Sequence, residues 1–284
     1  MARSRQTRSR FPSRSRYVNP GTIGMTVLLL PSVALAKDST SSTAQLTTPF
    51  TEQATGLQME RFFGARTGFG FAIALPQQQQ RQRRQQASQT GSFIGQMTFP
   101  LKNGIGWGAM GLTGEMEGNF ILAAWPDGKG GVMASFRQAI DEDNPAEVKG
   151  NFAVRPIADG VSVNNTFLTY TFLCENCLDA TLGLGPAATA GNRPMGWALS
   201  EKAPKGSAAD PGARLGFHER GFGPFTARLG NAATAVFDAV AAKAGAPVGA
   251  SQKAIAPKAN IFDGDGSGDE GGGSDSDSDS DDDD

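Results

Sequence analysis

The stretch Gly106-Trp-Gly-Ala-Met-Gly-Leu112, Phe120-Ile-Leu-Ala-Ala-Trp125 and Val132-Met-Ala-Ser-Phe-Arg137 places three short apolar runs within 32 positions. Each is rich in aromatic or β-branched residues and is bounded by Gly, Asn, Pro or Asp, which is how a strand between tight turns reads. The pattern continues upstream in Phe69–Leu75 and Phe93–Phe99, and downstream in Gly150–Ile157, Thr166–Leu173 and Met195–Ser200. Such spacing predicts an all-β fold, a two-sheet antiparallel immunoglobulin-like β-sandwich. Helical periodicity enters only at Asn231–Lys243, where alanines and apolar spacing predict one short C-terminal helix at the edge of the sandwich.

The ends of the 284-residue chain read differently from its body. Residues 1–36 carry Arg3, Arg5, Arg8, Arg10, Arg14 and Arg16, then an apolar run from Ile23 to Leu35, and close on Ala34-Leu35-Ala36. That order predicts a secretory signal peptide with an A-x-A cleavage site, and the run falls short of the ~20 residues that cross a bilayer. Residues 37–49 form a Ser/Thr-rich leader, residues 50–245 the folded body, and residues 246–284 a linker and a disordered tail of Gly, Ser and acidic residues. The Gln/Arg stretch Gln77–Gln89 has too few apolar residues to offset the entropy of ordering it and reads as a loop. Of the 26 basic residues six lie in the presequence, and of the 28 acidic ones 11 lie in the tail from Asp263, leaving a body of 20 against 17. A body so near neutrality excludes nucleic acid as a partner, and an acidic C-terminus excludes a lipid-anchor signal; the expected product is a secreted, extracellular monomer with no membrane anchor.

Several motifs fail on their context. Gly106-Trp-Gly108-Ala-Met-Gly111 satisfies the dinucleotide pattern, but no helix follows to face a pyrophosphate. Asp263, Asp265, Ser267 and Gly268 imitate the start of a calcium loop, whose twelfth position is Ser274 and not Glu. The only cysteines form Cys174-Glu-Asn-Cys177. One histidine in the chain cannot complete a zinc site, Leu178 stands where covalent haem needs His, and no helix offers a redox dithiol; in an oxidising compartment a local disulfide remains. His218 is the sole histidine and no nucleophile elbow accompanies it. Taken alone, it reads more readily as a packed or surface residue than as a ligand. Asn164-Asn-Thr166 matches the glycosylation acceptor pattern at Asn164.

The order of motifs resembles the cytochrome domain of cellobiose dehydrogenase and related DOMON-type haem domains. The segments that carry it are Thr67-Gly-Phe-Gly-Phe-Ala72, Phe93-Ile-Gly-Gln96, Gly106 to Pro126, Asn165 to Cys177, Gly196-Trp-Ala-Leu-Ser200 and His218-Glu-Arg-Gly-Phe-Gly-Pro-Phe225. The resemblance implies haem b held between Met116 and His218 as axial iron ligands, with Phe222 and Phe225 against a haem face and Arg137 as a partner of a propionate. It also implies close backbone approach at Gly114 and Gly118. No flavin dehydrogenase sequence accompanies the match. The implied role is therefore an electron carrier, not a stand-alone catalyst, fed by a separate flavin dehydrogenase or small reductant. Its acceptor would be a copper polysaccharide monooxygenase, a quinone or ferric iron. The alternative is a DOMON-type module that binds carbohydrate, or haem without redox turnover.

Overall fold

The computed structural model describes residues 44–77, 91–140 and 144–258, all within the compact unit Thr43–Asp284. The presequence, the Gln/Arg stretch beyond Gln77 and residues 259–284 lie outside the described residues, and with them the signal-peptide, loop, acidic-tail and calcium-like readings. Residues 246–258, expected as a linker, pack on the domain, where Val248 N–H donates to the Val154 carbonyl, Ser251 N–H to the Glu147 carboxylate and Ile255 N–H to the Glu147 carbonyl.

Among the described residues thirteen strands form two sheets. One contains β1 (Thr48–Thr51), β2 (Gln58–Gly64), β3 (Phe69–Pro76), β4 (Phe93–Pro100), β10 (Phe167–Glu175) and β9 (Ala153–Val163), in that spatial order. The short β13 (Ala233–Thr234) pairs parallel with the end of β3. The second sheet runs β12 (Gly221–Arg228), β11 (Asn192–Ser200), β5 (Trp107–Gly111), β6 (Phe120–Pro126), β7 (Val132–Gln138) and β8 (Ala146–Glu147). Every pairing along these two orders is antiparallel. The expected sandwich is thus present, and the eight runs read from the sequence all fall on strands.

Alternation along each strand separates three apolar layers. Phe69, Phe71, Ile73, Phe93, Met97 and Phe99 from one sheet meet Met110, Leu112, Leu122, Ala124, Met195, Leu199 and Phe225 from the other in the central core. Each fully buried Phe contributes about 1.5–3 kcal/mol. Aromatic rings fill this layer because strand glycines leave room: a Cβ on Gly108 would stand 2.6 Å from the Phe99 ring, and one on Gly95 2.5 Å from that of Phe172. On the outer face of the larger sheet, Ala72, Ala74 and Ile94 pack under Phe237 and Val240. On the outer face of the smaller sheet, Trp107, Ala109, Ala123 and Trp125 pack under Ala213 and Leu215.

The C-terminal helix is shorter than the alanine pattern implies, spanning Phe237–Ala241, and it covers a sheet face instead of lying at an edge. Tertiary pairing overrides propensity here. The Ala232 carbonyl accepts from Leu75 N–H at 2.8 Å, and Ala233–Thr234 extends the sheet, so only the residues after Val236 are left to coil. The cysteines do form the expected bond, Cys174–Cys177, at the end of β10.

Candidate functional site: a cavity on the outer face of the smaller sheet

Strands β5 and β11 are neighbours, and their register places Ala109 opposite Ala198 and Gly111 opposite Gly196. These four small residues point away from the central core and make a floor with almost no relief, bordered by Trp107 and Ile121. Above it lies a cavity of about 390 Å³, within the range of cofactor sites. Its walls come from two loops. The first joins β5 to β6 and supplies Gly114, Glu115 and Met116; the second joins β11 to β12 and supplies Lys205, Leu215, Gly216, Phe217 and His218. Asn144 and Pro145 line a third side, and Phe222 and Gly223 open β12 beside the histidine.

The Met116 turn is held by one side chain. Asn119, buried beneath it, accepts from Thr113 N–H at 3.1 Å through Oδ1 and donates through Nδ2 to the carbonyls of Thr113 at 3.1 Å and Glu115 at 2.6 Å. Its own N–H donates to the Met116 carbonyl at 3.3 Å. Gly111 must be glycine for this to work, because a Cβ there would stand 2.2 Å from Asn119 Nδ2.

The segment after His218 is fixed as firmly. Glu219 accepts from Ser200 Oγ at 2.8 Å and from Glu201 N–H at 2.9 Å, and Arg220 pairs with Glu201 at 2.9 Å. The His218 ring lies 4.7 Å from the Phe217 ring centroid and 4.3 Å from that of Phe222. Partial burial holds its pKa below the ordinary 6.5, offset in part by its own backbone and by Glu219. The neutral imidazole, which has a free lone pair, is the favoured form.

Among the described residues four buried side-chain polar atoms have no hydrogen-bond partner, and three of them belong to residues that line this cavity: Trp107 Nε1, Asn144 Oδ1 and His218 Nδ1. Orphaned polar atoms gathered at one cavity mark a place built for a ligand. The donor set, one thioether and one imidazole, suits an iron porphyrin, and a flat floor suits its plane. Gly216 and Gly223 add space, since a Cβ on the first meets nothing within 4 Å and one on the second only Trp197 Nε1 at 3.9 Å. No cluster of three or more His, Cys, Asp or Glu suited to a bare metal ion occurs among the described residues.

The structure brings together Met116, His218, Phe222 and Gly114. It places Phe225 elsewhere, fully buried in the central core and stacked on Phe62 at 4.6 Å, because its strand position faces inward. Arg137 also stands outside the cavity, 1% exposed, with its guanidinium committed to Ser135 Oγ and to main-chain carbonyls. Gly118 supplies a positive-φ turn and does not line the cavity. Asn164 is exposed, and its Oδ1 accepts from Thr166. Sequence reading missed Trp107, Asn119, Asn144, Lys205 and the Ala/Gly floor. On β11 the floor had a signal, since Gly196-Trp-Ala198 alternates small with large.

The geometry thus defines the class: an antiparallel β-sandwich that carries a flat-floored, aromatic-walled cavity outside its core. The chain belongs to the family of the cytochrome domain of cellobiose dehydrogenase, whose family model matches residues 50–239. Among solved structures it is similar to the cytochrome domain of Myriococcum thermophilum cellobiose dehydrogenase, at 25% identity and a TM-score of 0.60, over 72% of this chain and 98% of that one. It is also similar to the cytochrome b domain of pyranose dehydrogenase from Coprinopsis cinerea, at 23% identity and a TM-score of 0.58, over 74% of this chain and 98% of the other. No curated protein matches the chain.

Proposed function

We propose that the chain binds haem b in the cavity over the Ala109, Gly111, Gly196 and Ala198 floor, with Met116 and His218 as axial ligands, and carries single electrons between separate proteins. The observation that supports this most directly is that a thioether and an imidazole about a hundred residues apart line one cavity, among three orphaned polar atoms. Haem supplies a one-electron couple, and Met/His ligation raises its potential relative to two nitrogen ligands.

The chain's residues do the rest. Asn119 holds the turn that aims Met116, Glu219 anchors the segment that carries His218, and partial burial keeps the imidazole unprotonated. A haem held by Met116 and His218 would have no ligand position left for dioxygen, and the domain would carry electrons instead of activating oxygen. Phe217 and Phe222 stand 71% and 62% exposed on either side of His218, within reach of a docked partner.

The reading extends to a signal peptide in residues 1–36, secretion, and a glycan on Asn164. A monomer would accept electrons from a flavin dehydrogenase or small reductant and deliver them to a copper polysaccharide monooxygenase, quinone or ferric iron. Among the described residues no helix is long and apolar enough to cross a membrane.

Reconstitution with haem and a visible spectrum test the proposal. Sharp α and β bands on dithionite reduction, displaced in Met116→Ala and lost in His218→Ala, are expected. A folded wild-type chain that takes up no haem overturns it.

A further inference from the structure

We infer that Arg137 is a positioning residue for His218: it latches two separate walls of the cavity to the sheet from outside the cavity itself. The inference rests on the haem reading above.

Arg137 lies on β7, facing outward like Ser135 and Met133, and is 1% exposed. Nη1 donates to the Pro145 carbonyl at 3.3 Å, and Nη2 donates to those of Pro211 at 2.5 Å and Ala213 at 2.7 Å; Nε is spent on Ser135 Oγ at 2.9 Å. Pro145 belongs to one cavity wall, and Pro211 and Ala213 to the loop that ends on His218. One rigid fork therefore ties both segments down, and its planar geometry is what lets a single side chain serve three carbonyls.

A second donor acts on the same loop. Trp125, fully buried on β6, donates from Nε1 to the Ala208 carbonyl at 2.9 Å. At and just beyond the last pin Ala213 and Leu215 bury against Trp107 and Trp125, which leaves Gly216 and Phe217 as the short span to His218. Without the pins the twenty-residue loop between β11 and β12 is held to the sheet chiefly by the apolar packing of Ala208, Ala213 and Leu215, which fixes no carbonyl in place. A loose loop makes a ligand pay ordering entropy on binding, which lowers affinity.

Hydrogen–deuterium exchange on the haem-free protein, paired with haem titration, tests this on the wild type and on Arg137→Met, Arg137→Lys and Trp125→Phe. Exchange in residues 144–145 and 205–218 should rise at least tenfold in Arg137→Met while the two sheets keep their protection. Haem affinity should fall by on the order of 10- to 100-fold, with part of the spectrum moving from low to high spin. Arg137→Lys should recover part of both. Trp125→Phe should loosen residues 205–218 alone, and it carries the test if Arg137→Met does not fold. Exchange that rises evenly across both sheets, or a loosened loop with unchanged haem affinity and spectrum, overturns the inference. If the wild type binds no haem, the proposed function falls, while the exchange measurement still decides whether Arg137 latches the loop.

Discussion

Replacing Asn119 with Ala removes the three side-chain hydrogen bonds that shape the Met116 turn. Asn119 is 3% exposed, so water does not replace them freely. At roughly 0.5–1.5 kcal/mol each, the loss comes to about 2–4 kcal/mol. For a domain of this size that lowers Tm by roughly 5–12 °C. The same geometry makes a second, sharper forecast. A Cβ on Gly111 would stand 2.2 Å from Asn119 Nδ2, a group pinned in place, so Gly111→Ala should cost about 1–3 kcal/mol in the wild type. In the Asn119→Ala background the obstruction is gone, and Gly111→Ala should cost little. Urea unfolding of the two single variants and the double variant measures the coupling, expected at about 1–3 kcal/mol in favour of the double variant. Additivity within about 0.5 kcal/mol would refute the assignment of Asn119 as the clamp on this turn.

Ala198→Leu, on the cavity floor, should prevent haem uptake while leaving the unfolding free energy of the haem-free protein within about 0.5 kcal/mol of wild type; unimpaired uptake contradicts the floor assignment. Removing the Cys174–Cys177 bond should cost about 2 kcal/mol, the value for so short a loop, as measured by denaturation of the double Cys→Ala variant. Arg228→Met strands the buried carboxylate of Glu60, which accepts from Arg228 Nε at 3.1 Å, and should destabilise the chain by about 3 kcal/mol or more in the same assay. Because burial lowers the pKa of His218 from 6.5, protons compete with iron for the ring only below that value. Haem affinity should be level from pH 6.5 upward and decline by up to tenfold per pH unit once the pH falls below the folded pKa. The haem-free chain should lose this residue's contribution to stability in the same direction, as the unfolded chain takes up the proton first. A decline of affinity that begins well above pH 7 contradicts this.

The sandwich was legible because eight strands carry dense apolar runs between turn residues. β2 (Gln-Met-Glu-Arg-Phe-Phe-Gly64) and β12 (Gly221-Phe-Gly-Pro-Phe-Thr-Ala-Arg228) were not. Glu60 breaks the apolar run of β2, Gly221, Gly223 and Pro224 that of β12, and only the folded chain shows that Glu60 pairs with Arg228. The helix was overextended because composition registers alanine content but not the sheet edge that claims Ala233–Thr234. Met116 and His218 lay in reach only through resemblance. No period or spacing links two residues that meet because β5 and β11 happen to be adjacent. Phe225 and Phe222 look alike in sequence, yet they stand three residues apart on one strand and therefore on opposite faces. Arg137 was picked out by its position in the resemblance as a propionate partner; two of its acceptors are the Pro211 and Ala213 carbonyls, more than seventy residues away, which a sequence does not display.

In β5 the pleat assigns Trp107, Ala109 and Gly111 to the cavity side and Gly108 and Met110 to the interior; β11 repeats the division, with Gly196 and Ala198 on one side and Met195, Trp197 and Leu199 on the other. Two selective demands are thereby written on alternate letters of the same strands. The partly exposed cavity-side positions Ala198 and Ile121 can change in size and polarity and so reshape the pocket, while their interior neighbours, and the glycines at 111 and 196 that crowd Asn119 and the Thr113 carbonyl, keep the domain folded. A designer could diversify Ala198 and Ile121 as a library and expect the scaffold to survive most of its members.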